Sequence, residues 1–268
     1  MNQNTKLLRI TTANGVIEAP VMKTEQYEYG NLKGDLVTLF VENYGITQPF
    51  FCPGGLTADG ITERSQLSGI PKEYINKQGK DFNWGLYGQD VTPQKKLVNT
   101  FVQQFKEFQK QGRGIYISSK AKGSGKTMLA CCLANEVMKR YDLSIKFINA
   151  PDYVDLERSK LDSDRERKKK IMDSSLLILD DIGAEATDQD WVNSIIFRLV
   201  DYRRVNILPT IFTSNFELDK LKCDERTVDR ITEISTEIRM PEVRIRRQKA
   251  KKSNDEFIQY VMQKNNEK

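Results

Sequence analysis

The 268-residue chain contains no histidine, and that absence removes several chemistries at once. Imidazole is the usual general base near neutral pH and a common zinc ligand, so a histidine-based triad and a histidine-ligated metal site are both excluded. Cysteine is scarce too. Of four, Cys131 and Cys132 are adjacent in an apolar helical pattern, while Cys52 and Cys223 stand alone. No C-x-x-C pair starts a zinc site or a redox motif, and buried free thiols in a reducing compartment are expected. Long apolar runs are missing: nowhere do the roughly eighteen consecutive apolar residues of a membrane span occur. The opening Met1-Asn2-Gln3-Asn4 is not a basic region with an apolar run behind it. A soluble, cytoplasmic protein with no membrane association is the expectation.

What remains suffices for a folded core. Hydrophobic residues make up 38% of the chain and charged residues 29%, which argues against wholesale disorder, and the length suggests two domains. The net charge of +5 is modest, but it is unevenly spread. One basic cluster comprises Arg165, Arg167, Lys168, Lys169 and Lys170; a second runs from Arg239 through Arg244, Arg246 and Arg247 to Lys249, Lys251 and Lys252. Either could touch phosphate, and either could be a solvated helix face.

Residues 1 to about 92 give weak signals. Leu7 to Ile10 and Val16 to Ala19 alternate as strands do, Leu32 to Tyr44 reads as a helix, and Pro49-Phe50-Phe51-Cys52-Pro53-Gly54-Gly55 reads as a turn. From Thr92-Pro93, apolar residues at Leu97, Phe101, Phe105 and Phe108 predict a helix to about 111. Beyond it, strand-like and helix-like stretches alternate, the pattern of a parallel sheet covered by helices. The strands are placed at Gly114 to Ser118, Ile145 to Asn149, Leu176 to Asp180, Thr210 to Ser214 and Glu237 to Met240; helices are placed at 126 to 141, 151 to 172 and 190 to 204.

Ile115-Tyr116-Ile117-Ser118 followed by Ser119-Lys120-Ala121-Lys122-Gly123-Ser124-Gly125-Lys126-Thr127 is an apolar strand, a small-residue loop and a helix start. That is the context of a phosphate-binding loop. Gly123, Ser124 and Gly125 let backbone amides curl around phosphate oxygens, the helix N-terminus adds its dipole, Lys126 reaches the outer phosphates and Thr127 ligates magnesium. The pattern G-x-x-x-x-G-K-[ST] asks for glycine where this chain has Lys120, so the loop must open with a backbone conformation that a side chain tolerates.

About fifty residues later, Leu176-Leu177-Ile178-Leu179-Asp180-Asp181 is an apolar run ending in two acids. In P-loop enzymes the first acid belongs to the magnesium shell, and the next orients and deprotonates the attacking water. Asp180 and Asp181 suit those two roles.

The order of Gly-Ser-Gly-Lys-Thr, Leu-Ile-Leu-Asp-Asp-Ile-Gly-Ala-Glu and Thr213-Ser214-Asn215 resembles an AAA+ ATPase of the DnaC/DnaI helicase-loader family. Phe147 to Tyr153 and Ser68 to Tyr74 are similar to further family segments, so the likeness spans about residues 65 to 250. It implies an AAA+ P-loop core with a five-stranded parallel sheet flanked by helices, preceded by a small N-terminal domain. The boundaries it suggests are a partner-docking domain at 1–64, a lead-in segment at 65–92, the ATPase core at 93–252 and a polar tail at 253–268. It implies ATP and Mg2+ as ligands. It also assigns roles: Asn215 orients the attacking water, Arg230 is an arginine finger reaching a neighbouring subunit's nucleotide with Arg226 as the alternative, and Arg246 is a second sensor contacting phosphate, with Arg244 and Arg247 close enough to compete. Some loaders carry an N-terminal zinc domain; without histidine, and with only Cys52 in that half, this chain has no zinc module.

The expected function is ATP-dependent loading of a replicative hexameric DNA helicase onto single-stranded DNA, with self-association into a ring or spiral. A transposition helper ATPase of the IstB type shares nearly the whole core and is the alternative. A nucleotide-gated scaffold with little hydrolysis is a third reading, because Asp181 stands where glutamate is commoner.

Overall fold

The computed structural model describes residues 7–12, 15–29, 32–41, 46–53, 65–141, 143–183, 189–247, 250, 254 and 257–258. Two compact units divide the chain: Met1–Gly69 with Met138–Ser144, and Ile70–Val137 with Ile145–Lys268.

The first unit holds an antiparallel sheet of four strands in sequence order, β1 (Leu7–Thr12), β2 (Gly15–Tyr29), β3 (Leu32–Val41) and β4 (Ile46–Pro53). β3 replaces the helix expected over Leu32 to Tyr44 as far as Val41, and residues 42–44 fall outside the described residues. Burial along it has period two, with Asp35, Val37 and Leu39 buried and Leu36, Thr38 and Phe40 less so. That is the spacing of a pleated strand, and Val37, Thr38 and Phe40 are strand formers. Both its edges are paired, Val37 with Thr24 of β2 and with Phe50 of β4. The turn expected at Pro49 to Gly55 is likewise corrected: Pro49 to Pro53 lie in β4, an edge strand, the place in a sheet where proline is tolerated. Gly54 and Gly55 fall outside the described residues.

The second unit is a parallel five-stranded sheet in the order β6-β7-β8-β5-β9, with β5 Gly114–Ser118, β6 Ile145–Asn149, β7 Leu176–Asp180, β8 Thr210–Ser214 and β9 Ser235–Arg239. Helices α1 (Thr92–Gln103) and α2 (Phe105–Lys110) precede it, and α3 (Lys126–Arg140), α4 (Ala150–Arg158), α5 (Asp162–Met172), α6 (Gln189–Val205) and α7 (Glu225–Ile234) connect its strands. Parallel strands covered on both faces read as unbroken apolar runs, and Leu176 through Leu179 are each 0% exposed. Leu177, Leu179, Tyr116 and Phe212 share one core with Tyr153 of α4, Ile195 and Leu199 of α6 and Ile231 of α7. Each such side chain contributes about 1.5–3 kcal/mol by leaving water.

Two expected helices are broken in two. The 92–111 helix divides at Gln104, and Phe101 then stacks edge-on against both Phe105 and Phe108 at 5.4 and 5.0 Å. The 151–172 helix divides at Ser159 to Leu161. Lys168 of α5 turns back across that break, donating to the carbonyls of Glu157 and Ser159 at 3.3 and 3.2 Å. It replaces the intrahelical donors that the end of α4 lacks. The fifth strand begins at Ser235, two residues before the expected Glu237.

Among the described residues Arg203 is the largest fully buried side chain, 1% exposed. Its Nε donates to Thr210 Oγ1 at 2.8 Å, Nη1 to the carbonyls of Met172 and Ser174 at 2.8 and 3.0 Å, and Nη2 to the Pro209 carbonyl at 2.7 Å. One guanidinium thus ties α6 to the end of α5 and the start of β8. Burial lowers its pKa to about 9.

Candidate functional site

β5 delivers the loop Ser119 to Gly125 at the C-terminal edge of the sheet, where open α/β folds place their ligands. Gly123 and Gly125 have φ of 75° and 98°, in the left-handed region that glycine enters freely. A β-carbon on Gly123 would also lie 2.9 Å from Cβ of Arg246. Lys120, standing at the pattern's glycine position, is not strained: the non-glycine residues with positive φ among those described are Asp181 and Ile207. Its ammonium pairs with Glu217 at 2.9 Å and Glu242 at 3.8 Å. Lys120 and then Lys220 hold the Glu217 carboxyl down to about 2.

Lys126 opens α3 and is 5% exposed. Its Nζ donates to Asn215 Oδ1 at 3.0 Å and to the Ser119 carbonyl at 3.3 Å. Desolvation lowers its pKa, an effect opposed by Asp181 and Asp180. The lysine is held beside the loop by the two neutral acceptors, Asn215 Oδ1 and the Ser119 carbonyl.

At the end of β7 the two acids diverge. Asp180 is buried; its Oδ1 accepts from Thr213 Oγ1 at 2.6 Å and its Oδ2 from Thr127 Oγ1 at 3.1 Å. Desolvation raises its pKa to about 6, and the nearby Asp181 adds to the rise against those two hydroxyls. Asp181 has φ 54°, a left-handed conformation costing a non-glycine residue about 1–2 kcal/mol. Three bonds to β8 hold that turn: Asp181 N to Thr213 Oγ1 at 2.9 Å, Ile182 N to the Thr213 carbonyl at 2.9 Å, and Ser214 Oγ to the Ile182 carbonyl at 2.7 Å.

These groups surround one cavity of about 680 Å³, lined among others by Gly123 to Thr127, Asp181, Asn215 and Arg246, with Glu73, Tyr74 and Ile245 also on its wall. The structure therefore brings together Gly123, Ser124, Gly125, Lys126, Thr127, Asp181, Asn215 and Arg246, with Asp180 behind Thr127. Among the three competing arginines, Arg246 lines the cavity and its amide donates to the Gly123 carbonyl at 3.0 Å; Arg244 and Arg247 are exposed and do not line it. Arg230 is not brought in. It sits on α7, 3.2 Å from Asp201 and 3.7 Å from Glu233. Arg226 pairs with Asp224 and stacks over Phe197. The Thr127 hydroxyl and Asp180 carboxylate are adjacent hard oxygens of the kind magnesium accepts, and the Ser124 hydroxyl is buried without a hydrogen-bond partner among the described residues.

Sequence reasoning missed Tyr87, whose Oη donates to the Ser124 carbonyl at 2.6 Å, and Asn135, which donates to the Tyr74 and Lys77 carbonyls at 2.8 Å each. Both act across more than 35 residues of sequence, and no local pattern announces them. Tyr153, the last residue of the Phe147 to Tyr153 segment, is 2% exposed and belongs to the core. Cys131 and Cys132 are buried free thiols, and Cys223 is half-buried.

A phosphate loop between a central strand and its helix, an acid pair on the neighbouring-but-one strand and a polar residue after the strand between them define a P-loop ATPase fold of the AAA+ class. Residues 94–235 match the family described as IstB-like ATP binding protein, and the chain belongs to that family. It is 35% identical over 128 residues to the replicative helicase loader DnaI of Bacillus subtilis strain 168, a match covering 47% of this chain and 40% of that protein. The chain thus spans less than half the length of that curated relative. A crystal structure of DnaI superposes with a TM-score of 0.55 at 28% identity, covering 64% of this chain and 94% of that one. A crystal structure of the DnaC helicase loader gives 0.53 at 23% identity, covering 63% and 99%, a likeness of fold. The core is that of a DnaC/DnaI-like AAA+ ATP-binding protein. Among the described residues no helix is long and apolar enough to cross a membrane.

Proposed function

We propose that the chain binds and hydrolyses ATP and uses the nucleotide state to load a replicative hexameric helicase onto single-stranded DNA. The convergence of Lys126, Thr127, Asp181 and Asn215 on one cavity, with Asp180 behind them, carries the nucleotide half of this reading. The similarity to a helicase loader supports the partner half.

In this mechanism the loop amides and Lys126 hold the triphosphate, and Lys126 stabilises charge that builds on the outer phosphate during transfer. Thr127 and Asp180 would hold Mg2+, which supplies further neutralisation of phosphate charge. Asp181, fixed by its latched turn, orients the attacking water and accepts its proton. Asn215, its carbonyl oxygen engaged by Lys126, turns its amide towards the same water. Arg246 contacts phosphate in its own chain. Arg230, outside its own cavity, serves a neighbouring subunit's nucleotide, which requires a head-to-tail assembly closing as a ring or continuing as a spiral. The compartment is the cytoplasm.

The test is reconstitution: the cognate replicative helicase, circular single-stranded DNA, ATP and this protein. Loading should appear with the wild type and vanish with Lys126→Ala. A protein that neither retains the helicase nor delivers it to the circle contradicts the loader role. The family match favours one second reading, a transposition helper of the IstB type, for which ATP-dependent stimulation of a cognate transposase would be seen instead. A nucleotide-gated scaffold would load without measurable turnover.

A further inference from the structure

The segment ahead of α1 carries three aromatic side chains, Phe82, Trp84 and Tyr87, in and beside two short 3-10 helices at Gly79–Asp81 and Trp84–Tyr87. Their rings form a cluster, Phe82 meeting Trp84 edge-on at 4.7 Å and Tyr87 at 6.2 Å. Phe82 and Tyr87 are buried. α3 anchors the same segment: Asn135 donates to the carbonyls of Tyr74 and Lys77, and Glu136 Oε1 accepts the Gly79 amide at 3.1 Å. The cluster lies directly against the phosphate loop, for a β-carbon on Gly125 would fall 3.2 Å from Tyr87 Oη and 3.3 Å from the Phe82 ring.

One contact decides how that loop presents itself. Tyr87 Oη donates to the Ser124 carbonyl oxygen at 2.6 Å. In a planar trans peptide the C=O and N–H point in opposite directions, so anchoring the Ser124 carbonyl on Tyr87 aims the Gly125 N–H away from the tyrosine. Ser124 and Gly125 both line the cavity. Glycine at 125 makes this peptide easy to flip, and a flipped peptide would offer a carbonyl oxygen to a polyanion. Burial raises the Tyr87 pKa far above the ordinary phenol value, so the hydroxyl stays a donor across the working range.

We propose that Tyr87 is a positioning residue of the phosphate site, selecting the Ser124–Gly125 peptide orientation that donates Gly125 N–H to the bound anion. The inference rests on reading the loop as a triphosphate site. It extends that site to a residue outside the loop, the helix and the sheet.

The experiment compares ATP and adenosine affinities, read by competition against a fluorescent ATP analogue, for the wild type, Tyr87→Phe and Trp84→Leu. Losing one anchoring hydrogen bond should weaken ATP about three- to tenfold in Tyr87→Phe and leave adenosine unchanged, because adenosine has no phosphate to sense the peptide. Trp84→Leu disturbs the packing of the same cluster but leaves the Tyr87 hydroxyl in place, so it should lower thermal stability and keep the ATP-to-adenosine ratio. Unchanged ATP affinity in Tyr87→Phe, or an equal loss for ATP and adenosine, overturns the positioning role. A wild type that binds no ATP overturns the triphosphate reading itself, and the inference with it.

Discussion

Thr213 stands between the two acids: its hydroxyl donates to Asp180 at 2.6 Å and accepts the amide of Asp181 at 2.9 Å. One side chain of β8 therefore fixes both the buried carboxylate at the end of β7 and the strained turn that follows it. The carboxylate remains costly to ionise even so, because desolvation outweighs the two hydroxyls that it accepts.

The cost has a pH signature. The pKa of Asp180 is about 6 in the folded chain against the ordinary aspartate value of 3.8, so the folded state binds the proton more tightly. Stability from this group is complete below about pH 4 and is lost as pH rises through 6. Asp180→Asn removes that loss. In urea unfolding without nucleotide, the variant should gain up to about 3 kcal/mol over the wild type at pH 7.5 and nothing near pH 4. A gain that is the same at both pH values would speak against the assignment.

Arg203→Met should destabilise the protein by about 3 kcal/mol or more, since four partners across α5, β8 and the Pro209 loop lose a charged donor. A midpoint in urea within error of the wild type would show that these carbonyls find other donors.

Lys168 and its neighbours separate two kinds of basic residue. Lys168 is spent on Glu157 and on backbone carbonyls, whereas among the described residues Arg165 and Lys170 make only exposed pairs with Asp162 and Glu166. Arg167 and Lys169 are exposed. If single-stranded DNA tracks α5, the double variant Arg167→Gln with Lys169→Gln should flatten the slope of log affinity against log salt by about 1.4, and Lys168→Gln should lower stability while leaving the slope alone. Fluorescence anisotropy across a salt series reads both. A slope unchanged in the double variant means that this face is only solvated.

Arg230 should act between subunits. Arg230→Ala and Lys126→Ala, each inactive alone, should recover ATPase activity when mixed, because one keeps a phosphate loop and the other a finger. Mixtures that never exceed the sum of the separate variants remove the trans role.

The phosphate loop and the Asp180-Asp181 pair were legible in sequence because each is a local string on a strand or at its end, and the apolar run that buries β7 is itself the signal. Four of the five core strands begin where the pattern put them for the same reason. The β3 strand was misread because Leu32 to Tyr44 carries apolar residues dense enough to satisfy helical spacing, and only pairing with β2 and β4 decides for period two. The break at Ser159 to Leu161 has no glycine or proline to mark it; the turn of Lys168 back onto the end of α4 makes it tolerable. Arg203 lies within the expected 190 to 204 helix, and no local pattern marks it as buried. Tyr87 sits 37 positions before the carbonyl it anchors, and such a pairing exists only once the chain is folded.

The most direct test of the nucleotide site is isothermal titration of ATP with Mg2+ into the wild type and Lys126→Ala. Removal of a buried ammonium that contacts phosphate should cost at least roughly 1.5–3 kcal/mol, a loss of about ten- to a hundredfold or more in affinity. An affinity for ATP that is the same in both proteins would contradict the site.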